Sequence, residues 1–496
     1  MFRKDESPES SIELSLEKVK SKAVKGIVAL TGRTLILRVL SFIAQGILWA
    51  FLEPEHFGAF LLVSATVNFL SYFADIGLGA ALIQKKEKPS QEDYKTVFTV
   101  QETLVVSVCL ILLLSSPVLT KTHSLSQEGV YLLYALTAAF FLASLKNIPS
   151  IILERRLEFG KFIVPQILED LVYNVVVVYL AWKGAGLSSF TYAVLARGVV
   201  GVAAIYILQP WKPGIALSKK SLKNLLGFGI PYQINNFLAT VKDDGLTIVM
   251  GGILGSAGLG ILGVAQRASQ YPLRFFMDTV TKVTFPAFSR MQEDKNELSR
   301  GLERSVFFIC ALVFPSLVGL VVLFPSIIEI IPRYQKWSSA YLPLIFFSAN
   351  AAIGAFTTQF TNTLNAVGKI KTTFKLMVMW TALSWLLIPY LGIKLNINGA
   401  SLGYFIVSIS SVVAFAVLRR IVKFDLFYSL GKPFFASSAM GMFIYITKEF
   451  IQSMTVAKFV FVVIAASLFY ALSLYILTGS VLIEDVKKTF KNIFSK

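Results

Sequence analysis

The chain has 496 residues, of which 55% are hydrophobic and 15% are charged, and its mean hydropathy is +0.67. These values exclude an ordinary soluble globular protein and are typical of a helical protein that crosses a membrane many times. The formal net charge of +18 would indicate a nucleic-acid partner for a soluble protein, so the positions of the basic residues decide what the charge means.

The first 23 residues are polar and charged, and no short apolar core with a cleavage site follows them. We expect this segment to lie in the cytoplasm, where a short interfacial helix and a disordered tail both fit its pattern.

About fourteen apolar stretches follow, each long enough to cross a bilayer, which takes about 20 residues. They predict an all-α polytopic membrane protein with about 14 transmembrane helices. The predicted spans are 24–52, 57–83, 96–118, 129–152, 162–182, 187–208, 226–252, 257–288, 305–331, 339–364, 376–393, 399–418, 433–449 and 459–478.

Lysine and arginine are distributed unevenly between the connections of these spans. Starting with the N-terminal tail, every second connection belongs to a set that holds 33 basic residues, whereas the other set holds 7. By the positive-inside rule, the first set faces the cytoplasm. The pattern therefore predicts that both termini are cytoplasmic, and it accounts for the net charge without a nucleic-acid partner.

A weak internal repeat predicts two six-helix bundles. Phe57–Phe60 at the start of the second span resembles Leu259–Leu262 in the eighth, and Gly160 after the fourth span has a counterpart in Gly368 after the tenth. Because each pair occupies the same position six spans apart, we expect parallel repeats related by a pseudo-two-fold axis along the membrane normal. The predicted segments are an N-terminal tail 1–23, a first bundle 24–208, a cytoplasmic linker 209–225, a second bundle 226–418, two additional helices in 419–478 and a basic cytoplasmic tail 479–496.

Seven basic residues inside the predicted spans remain once Lys25, Lys146 and Lys448 are counted with the adjacent connections. Inside a span a cation costs about 3 kcal/mol or more unless it faces water, an acidic partner or a bound anion. They are Arg33, Arg38, Arg197, Lys242, Arg267, Arg274 and Lys282. Helical periodicity places Arg267 and Arg274 on one face, which Asp278 and Lys282 continue. The set predicted to bind an anionic substrate is Arg38, Arg197, Lys242, Arg267 and Arg274.

Other interpretations of the same cations remain open. Arg267 could pair between helices with Asp243 or Asp244, and the same two acids could compensate Lys242 locally. Arg33 and Lys282 could reach the membrane interface with their long side chains.

Acidic residues also lie inside the predicted spans, and a carboxylate in a cavity lined by protein can carry a proton or a cation through a transport cycle. The candidates for ion coupling are Asp75, Glu102, Glu169, Asp170, Asp243 and Asp244. Pairing with the intramembrane cations is the alternative for each of them. The sequence contains no phosphate-binding loop of the GxxxxGK[ST] type and no cluster of metal ligands. We therefore expect a transporter without a cofactor rather than an enzyme. Its energy source would be an ion gradient, such as one of protons or sodium, the membrane potential, the gradient of the cargo or a partner.

The stretch 51–87 resembles the start of the Wzx-type polysaccharide flippases, which belong to the multidrug/oligosaccharidyl-lipid/polysaccharide exporter superfamily. Those proteins join their first two helices by a Leu-x-Pro-x-x-Phe-Gly turn and end the second helix with an Asp-x-Gly-x-x-x-Ala-x-Ile pattern. The matching residues are Leu52, Pro54, Phe57 and Gly58, followed by Asp75, Gly77, Ala81 and Ile83. Further similar segments are Leu153–Phe159, Leu254–Gly255, Leu259–Gly260, Ala265–Arg267 and Asn365–Gly368.

The resemblance implies a flippase that moves an undecaprenyl-diphosphate-linked oligosaccharide across a bacterial or archaeal plasma membrane by alternating access. It implies two bundles around a central cationic cavity, with the last two helices beside a groove for the lipid tail. The expected partners are the lipid-linked anionic oligosaccharide, membrane lipids, and the polymerase and glycosyltransferases of the pathway. The alternatives are a flippase for the peptidoglycan lipid precursor, a cation-coupled multidrug exporter and, further away, a membrane polysaccharide polymerase or ligase.

Overall fold

The computed structural model describes residues 37, 39–425, 427–449, 451 and 454–479, except for the side chains of 224, 228–236, 278–279 and 282–283. The predictions for Arg33, Arg38 and segment 1–23 lie outside the described residues, as do those for the side chains of Asp278 and Lys282 and for nearly all of segment 479–496. Every regular element in the described ranges is a helix, and ten helices there are long and apolar enough to cross a membrane. The predicted all-α polytopic fold class is therefore confirmed, whereas the number of crossings and the pseudo-symmetry stay predictions.

The chain divides into two compact units. The N-terminal unit comprises the chain up to Leu52 together with Val63–Thr240, and the C-terminal unit comprises Glu53–Leu62 together with the chain from Val241 onward. One helix, α2, starts in the C-terminal unit and continues into the N-terminal unit.

The helices of the N-terminal unit follow the predicted spans closely in most places. They are the described part of α1 (Val39–Phe51), the part of α2 (Pro54–Ser71 in full) that starts at Val63, a 3-10 turn (Tyr72–Ala74), α3 (Leu78–Gln84), α4 (Gln91–His123), α5 (Gln127–Leu145), α6 (Asn147–Arg155), α7 (Phe159–Trp182), α8 (Ser188–Leu208) and α9 (Lys219–Thr240).

The C-terminal unit holds longer helices. They are the first half of α2, a π turn (Val241–Gly245), α10 (Leu246–Arg290), α11 (Lys295–Ile330), a 3-10 helix (Pro332–Ala340), α12 (Tyr341–Ala366), α13 (Ile370–Ile409), α14 (Val412–Arg419), a second π turn (Phe427–Gly431), α15 (Lys432–Glu449) and α16 (Val456–Thr478).

Two of these helices are interrupted where the sequence predicts a connection between spans. In α10 the break lies at Gly255, whose φ of 67° and ψ of 176° suit a residue without a Cβ atom. In α13 it lies at Leu395 and Asn396, and Asn396 has a φ of 52°. Each interrupted helix therefore consists of two helical segments, and each break separates two predicted spans.

The second predicted span, 57–83, is wrong as a continuous helix. It ends as a helix at Ser71, and α3 begins only at Leu78. Between them the Asp75 carboxylate accepts a hydrogen bond from the Gly77 N–H at 2.9 Å, and Gly77 has a left-handed φ of 75°. The aspartate thus stabilises a turn whose left-handed residue does not fit into a continuous helix. An Asp often stabilises a turn in this way by accepting a hydrogen bond from the backbone N–H two residues later.

Arg155 fixes the far end of α3. Its guanidinium donates hydrogen bonds to the carbonyls of Leu82, Ile83 and Lys85, the last two at 3.0 Å, and to that of Glu87 at 3.3 Å. Leu82 and Ile83 lie in the last turn of α3, where carbonyls have no partner within the helix, and Lys85 and Glu87 follow directly. The arginine thus satisfies the C-terminal end of α3 and the segment after it. Arg155 therefore holds a short helix that would not be stable alone.

Two turns, one in each unit, share a hydrogen-bond pattern. After α6, Leu157 has a φ of 56° and the Glu158 N–H donates to the Leu153 carbonyl at 3.0 Å. After α12, Gly368 has a φ of 77° and the Lys369 N–H donates to the Leu364 carbonyl at 2.8 Å. Both are Schellman-type helix ends. The residue that matches Gly368 is therefore Leu157, three residues before the Gly160 that the sequence comparison paired with it.

Candidate functional site: a cavity in each unit

The N-terminal unit contains a cavity of about 620 Å³. Its wall is formed by α3, the junction of α5 and α6, α7 and α8. The ionisable side chains that line it are two cations and four carboxylates, so the wall carries more negative than positive charge. They are Asp75, Lys146, Glu154, Glu169, Asp170 and Arg197.

Four of these side chains form one ion-paired network. The Lys146 Nζ lies 2.6 Å from the Glu169 Oε1, and the Arg197 Nη2 lies 3.0 Å from the Asp170 Oδ1. The Arg197 Nε also lies 3.7 Å from the Glu169 Oε2, which joins the two pairs. The Glu169 side chain is only 9% exposed, whereas that of Arg197 is 46% exposed. The network brings two positive and two negative charges together, so it is neutral as a whole.

A glycine on α8 provides the space for the buried carboxylate. A Cβ atom placed on Gly201 would lie 2.2 Å from the Glu169 Oε1, which is far inside van der Waals contact. The position of Glu169 therefore depends on the absence of a side chain on the neighbouring helix. Any larger residue at 201 would push the carboxylate away from Lys146.

Arg197 was predicted to bind an anionic substrate, and the structure places it against two of the predicted coupling acids, Glu169 and Asp170. Its guanidinium also lies 5.8 Å from the centre of the Tyr173 ring. This arrangement matches the alternative of pairing between helices. A role for Arg197 in substrate binding stays a prediction.

Glu102 does not line this cavity. Its Oε2 accepts a hydrogen bond from the Ser144 hydroxyl at 2.9 Å, while its Oε1 is buried and has no hydrogen-bond partner in the described part of the chain. Its predicted role in ion coupling stays a prediction.

The C-terminal unit contains a second cavity, of about 800 Å³. It is enclosed by α10, α12, α13 and the π turn that precedes α10. Here three cations face two carboxylates, so the excess charge is positive. The ionisable residues, tyrosines apart, are Lys242, Asp243, Asp244, Arg267 and Arg274, and the uncharged residues with a hydroxyl or amide are Thr247, Gln266, Gln270, Tyr271, Asn350, Thr357, Thr358, Thr361, Ser384, Tyr404, Ser408 and Ser411.

One face of α10 supplies the two arginines of this cavity. Arg267, Gln270, Tyr271 and Arg274 all line it, at the spacing of three, four and seven residues that puts side chains on one face of a helix. The prediction that Arg267 and Arg274 share a face that lines a cavity agrees with this arrangement.

The π turn contributes the remaining charges. The Lys242 Nζ lies 3.1 Å from the Asp243 Oδ1. Local compensation of Lys242, one of the two interpretations of this residue, is therefore present in the structure. Lys242 and Asp243 together add no net charge to the wall.

The structure adds Lys146 to the residues that sequence reasoning found. Lys146 lies inside the predicted span 129–152, yet its nearness to the end of that span placed it among the basic residues of a connection. It ends α5 and points into the cavity against Glu169. The position of Lys146 inside the predicted span 129–152 could have identified it as an intramembrane cation.

Three comparisons with known proteins agree with the fold and with the expected family. The polysaccharide biosynthesis protein family matches residues 47–341. The lipopolysaccharide biosynthesis protein WzxC of Escherichia coli (strain K12) is 22% identical over 430 residues, which cover 84% of this chain and 86% of that protein. The succinoglycan biosynthesis transport protein ExoT of Rhizobium meliloti (strain 1021) is 24% identical over 57% of this chain, and the match spans 56% of the length of that relative.

Two solved structures show the same fold at low sequence identity. The lipid II flippase MurJ, in an inward closed conformation, has a TM-score of 0.73 at 16% identity, covering 92% of this chain and 100% of that one. An inward-facing multidrug resistance transporter of the MATE family has a TM-score of 0.58 at 17% identity, covering 80% of this chain and 98% of that one. Both similarities establish the fold alone. The family match covers more than half of the chain, so this chain belongs to the polysaccharide biosynthesis protein family, as its resemblance to the polysaccharide flippases predicts.

Proposed function

We propose that this protein is a flippase that moves an undecaprenyl-diphosphate-linked oligosaccharide from the cytoplasmic to the outer leaflet of a bacterial or archaeal plasma membrane. The observation that carries the proposal is the face of α10 on which Arg267 and Arg274 line a cavity of about 800 Å³. The family and its named relatives support a role in surface-polysaccharide export.

The chemistry of the cavity suits a phosphate group. A guanidinium offers several N–H donors in a fixed plane and matches the oxygens of a phosphate better than any other side chain does. Arg267 and Arg274 lie seven residues apart, about 10 Å along the helix, so their side chains can converge on one diphosphate. The wall of this cavity carries more positive than negative charge, and an anionic substrate would complement that excess.

The size of the cavity fits the proposal as well. Pockets that enclose a small ligand have volumes of about 300 to 1,000 Å³, and the cavity of the C-terminal unit falls in this range. We propose that it takes the diphosphate and the sugars next to it, while the lipid tail stays in the bilayer.

We propose further that the network around Glu169 couples transport to an ion gradient. Its carboxylate holds Lys146 and Arg197 at the same time, so a proton or a sodium ion that binds there would compete with both cations. The more negative wall of the N-terminal cavity would attract such a cation. Substrate and coupling ion would then use different cavities.

The acidic cavity also favours a second candidate, a cation-coupled exporter of cationic compounds. Its wall holds four carboxylates and two cations, and this excess of negative charge would favour the binding of an organic cation. Accumulation of ethidium in cells with and without the protein separates the two functions, because a flippase for anionic lipid-linked sugars leaves the accumulation unchanged.

The flippase proposal is tested with the purified protein in vesicles that contain a fluorescent undecaprenyl-diphosphate-linked sugar in both leaflets. A quencher or an enzyme added outside reports how fast inner-leaflet lipid reaches the outer leaflet. We expect flipping that depends on the protein and that accelerates under a proton or a sodium gradient. A rate equal to that of protein-free vesicles under every gradient would overturn the proposal.

A further inference from the structure

The polar residues of the C-terminal cavity differ in what they can offer a ligand. Arg267 and Arg274 on α10 carry only hydrogen-bond donors. The hydroxyls on α12 have already used their single hydrogen within the helix: Thr358 donates to the Gly354 carbonyl at 2.9 Å, and Thr361 donates to the Thr358 carbonyl at 3.0 Å. What these threonines present to the cavity is therefore an acceptor oxygen.

Two further side chains of the same cavity also donate a hydrogen to a backbone carbonyl, although the Asn350 amide keeps its second N–H. The Asn350 amide nitrogen donates to the Tyr404 carbonyl at 3.0 Å, and the Ser408 hydroxyl donates to the Phe405 carbonyl at 2.6 Å. Both residues keep an acceptor oxygen. The walls formed by α12 and α13 thus present several acceptor oxygens, whereas the arginine donors lie on α10.

The presence of both acceptor oxygens and arginine donors limits the kind of ligand that can satisfy the whole cavity. Inorganic phosphate can use the arginines but carries few hydrogens for the acceptors, and a cation would meet the arginines unfavourably. A group that joins a phosphate to several hydroxyls satisfies both sides, because phosphate oxygens accept and sugar hydroxyls donate.

An aromatic ring lies in the same wall. Trp380 on α13 lines the cavity and also packs against a buried apolar cluster that includes Phe360 and Leu376. The face of an aromatic ring is electron-rich and attracts the weakly positive C–H groups of a pyranose ring. Trp380 therefore adds an aromatic group to the lining of the cavity that also holds these acceptors.

We propose that the part of this cavity formed by Thr358, Thr361 and Trp380 is a sugar subsite that recognises the hydroxyls of the residue attached to the phosphate. The proposal rests on the proposed function and deepens it, because it assigns the phosphate to α10 and the sugar to α12 and α13. The sugar subsite contributes selectivity, and the arginines contribute the charge-dependent part of the affinity.

The test measures binding to the purified full-length protein in detergent by calorimetry. The probes are inorganic phosphate, glucose 1-phosphate, galactose 1-phosphate and N-acetylglucosamine 1-phosphate. For the unmodified protein we expect at least one sugar phosphate to bind about tenfold more tightly than inorganic phosphate, as a few additional hydrogen bonds and a ring contact would give.

A double substitution removes the acceptors at nearly constant shape. In Thr358→Val/Thr361→Val we expect the preference for the sugar phosphate to disappear, while the affinity for inorganic phosphate stays the same. The control is Thr381→Val, because Thr381 donates to its own helix at 2.9 Å in the same manner but does not line the cavity. Arg274→Ala should weaken all probes together.

The outcomes separate the two proposals. If phosphate binds through Arg274 and no sugar phosphate is preferred, or if the preference survives the double substitution, the sugar subsite is wrong. If no probe binds, or if Arg274→Ala changes nothing, the anion site of the proposed function is wrong. A last probe, farnesyl-diphosphate-linked glucose, distinguishes the source of the sugar phosphate: tighter binding than glucose 1-phosphate supports a lipid-linked cargo, and equal binding contradicts it.

Discussion

Gly58 on α2 and Gly260 on α10 lie against each other's helix within the C-terminal unit. A Cβ atom on Gly58 would lie 1.6 Å from the Ser256 carbonyl oxygen, and one on Gly260 would lie 1.8 Å from the Pro54 carbonyl oxygen. The contact is therefore reciprocal, and the two backbones touch where a methyl group has no room. These are the same two glycines that the weak internal repeat pairs with each other.

Substituting either glycine should destabilise the protein. Gly58→Ala or Gly260→Ala forces the helices apart, and overpacking of this kind costs about 1 to 3 kcal/mol or more. We expect a lower midpoint of thermal unfolding in detergent for both variants. Gly160→Ala is the control, because a Cβ atom there meets nothing within 4 Å. Unchanged midpoints for Gly58→Ala and Gly260→Ala would contradict the close crossing.

The buried carboxylate of Glu169 should be more important for stability than any exposed ion pair. Glu169→Ala leaves Lys146, whose side chain is 17% exposed, without its partner at 2.6 Å, and breaking such a pair costs about 3 kcal/mol. The contribution of Arg197 is smaller, since that side chain is half exposed and solvent screens it.

A double-mutant cycle measures this pair directly. The cycle consists of Lys146→Met, Glu169→Leu and the double variant Lys146→Met/Glu169→Leu. The double variant removes both charges and should recover much of the stability that Glu169→Leu alone loses, because neither partner is left unpaired. Thermal unfolding in detergent gives the free energies. A double variant that is less stable than either single variant would show that the network acts in another way.

Arg155 should control the order of α3. Arg155→Ala removes the donors for the carbonyls at the end of that helix, and leaving such groups without a partner costs about 1 to 3 kcal/mol. We expect faster amide hydrogen exchange across Leu78–Gln84. The adjacent Arg156 makes only a 3.5 Å contact with the Gln209 side chain among the hydrogen bonds described, so Arg156→Ala is the matched control. Equal exchange in both variants would remove the special role of Arg155.

The turn at Asp75 allows its structural and ion-coupling roles to be separated. Asp75→Asn keeps a side-chain oxygen for the Gly77 N–H, whereas Asp75→Ala loses it at a cost of about 1 kcal/mol. We expect the asparagine variant to unfold at the temperature of the unmodified protein and the alanine variant to unfold earlier. If the asparagine variant keeps its stability but no longer transports, Asp75 has a role in coupling in addition to the turn.

The sequence predicts those parts of the molecule that depend on local periodicity. Arg267 and Arg274 share a face because they are seven residues apart on one helix, and that relationship needs no knowledge of other helices. The breaks at Gly255 and Asn396 also fall where apolar stretches end.

Contacts between distant segments could not be predicted in the same way. Lys146 meets Glu169 only because α7 packs on α8 at a glycine, and nothing in a single sequence indicates which small residue faces which carboxylate. The sequence does contain a signal for the break in the second predicted span, since Asp75 and Gly77 have the spacing of a turn that a side chain stabilises. The apolar residues on both sides of this turn nevertheless predict one continuous span.

The most direct test of the central claim compares the double variant Arg267→Ala/Arg274→Ala with Arg290→Ala in the vesicle flipping assay. Arg290 is exposed at the end of the same helix and does not line the cavity, so it controls for the loss of positive charge. We predict that the double variant flips the lipid-diphosphate-linked sugar at least about tenfold more slowly, because each charge-assisted hydrogen bond contributes about 1.5 to 3 kcal/mol. Arg290→Ala should flip at the normal rate. A double variant that is stably inserted and flips as fast as the unmodified protein would contradict the assignment of this cavity to the anionic cargo.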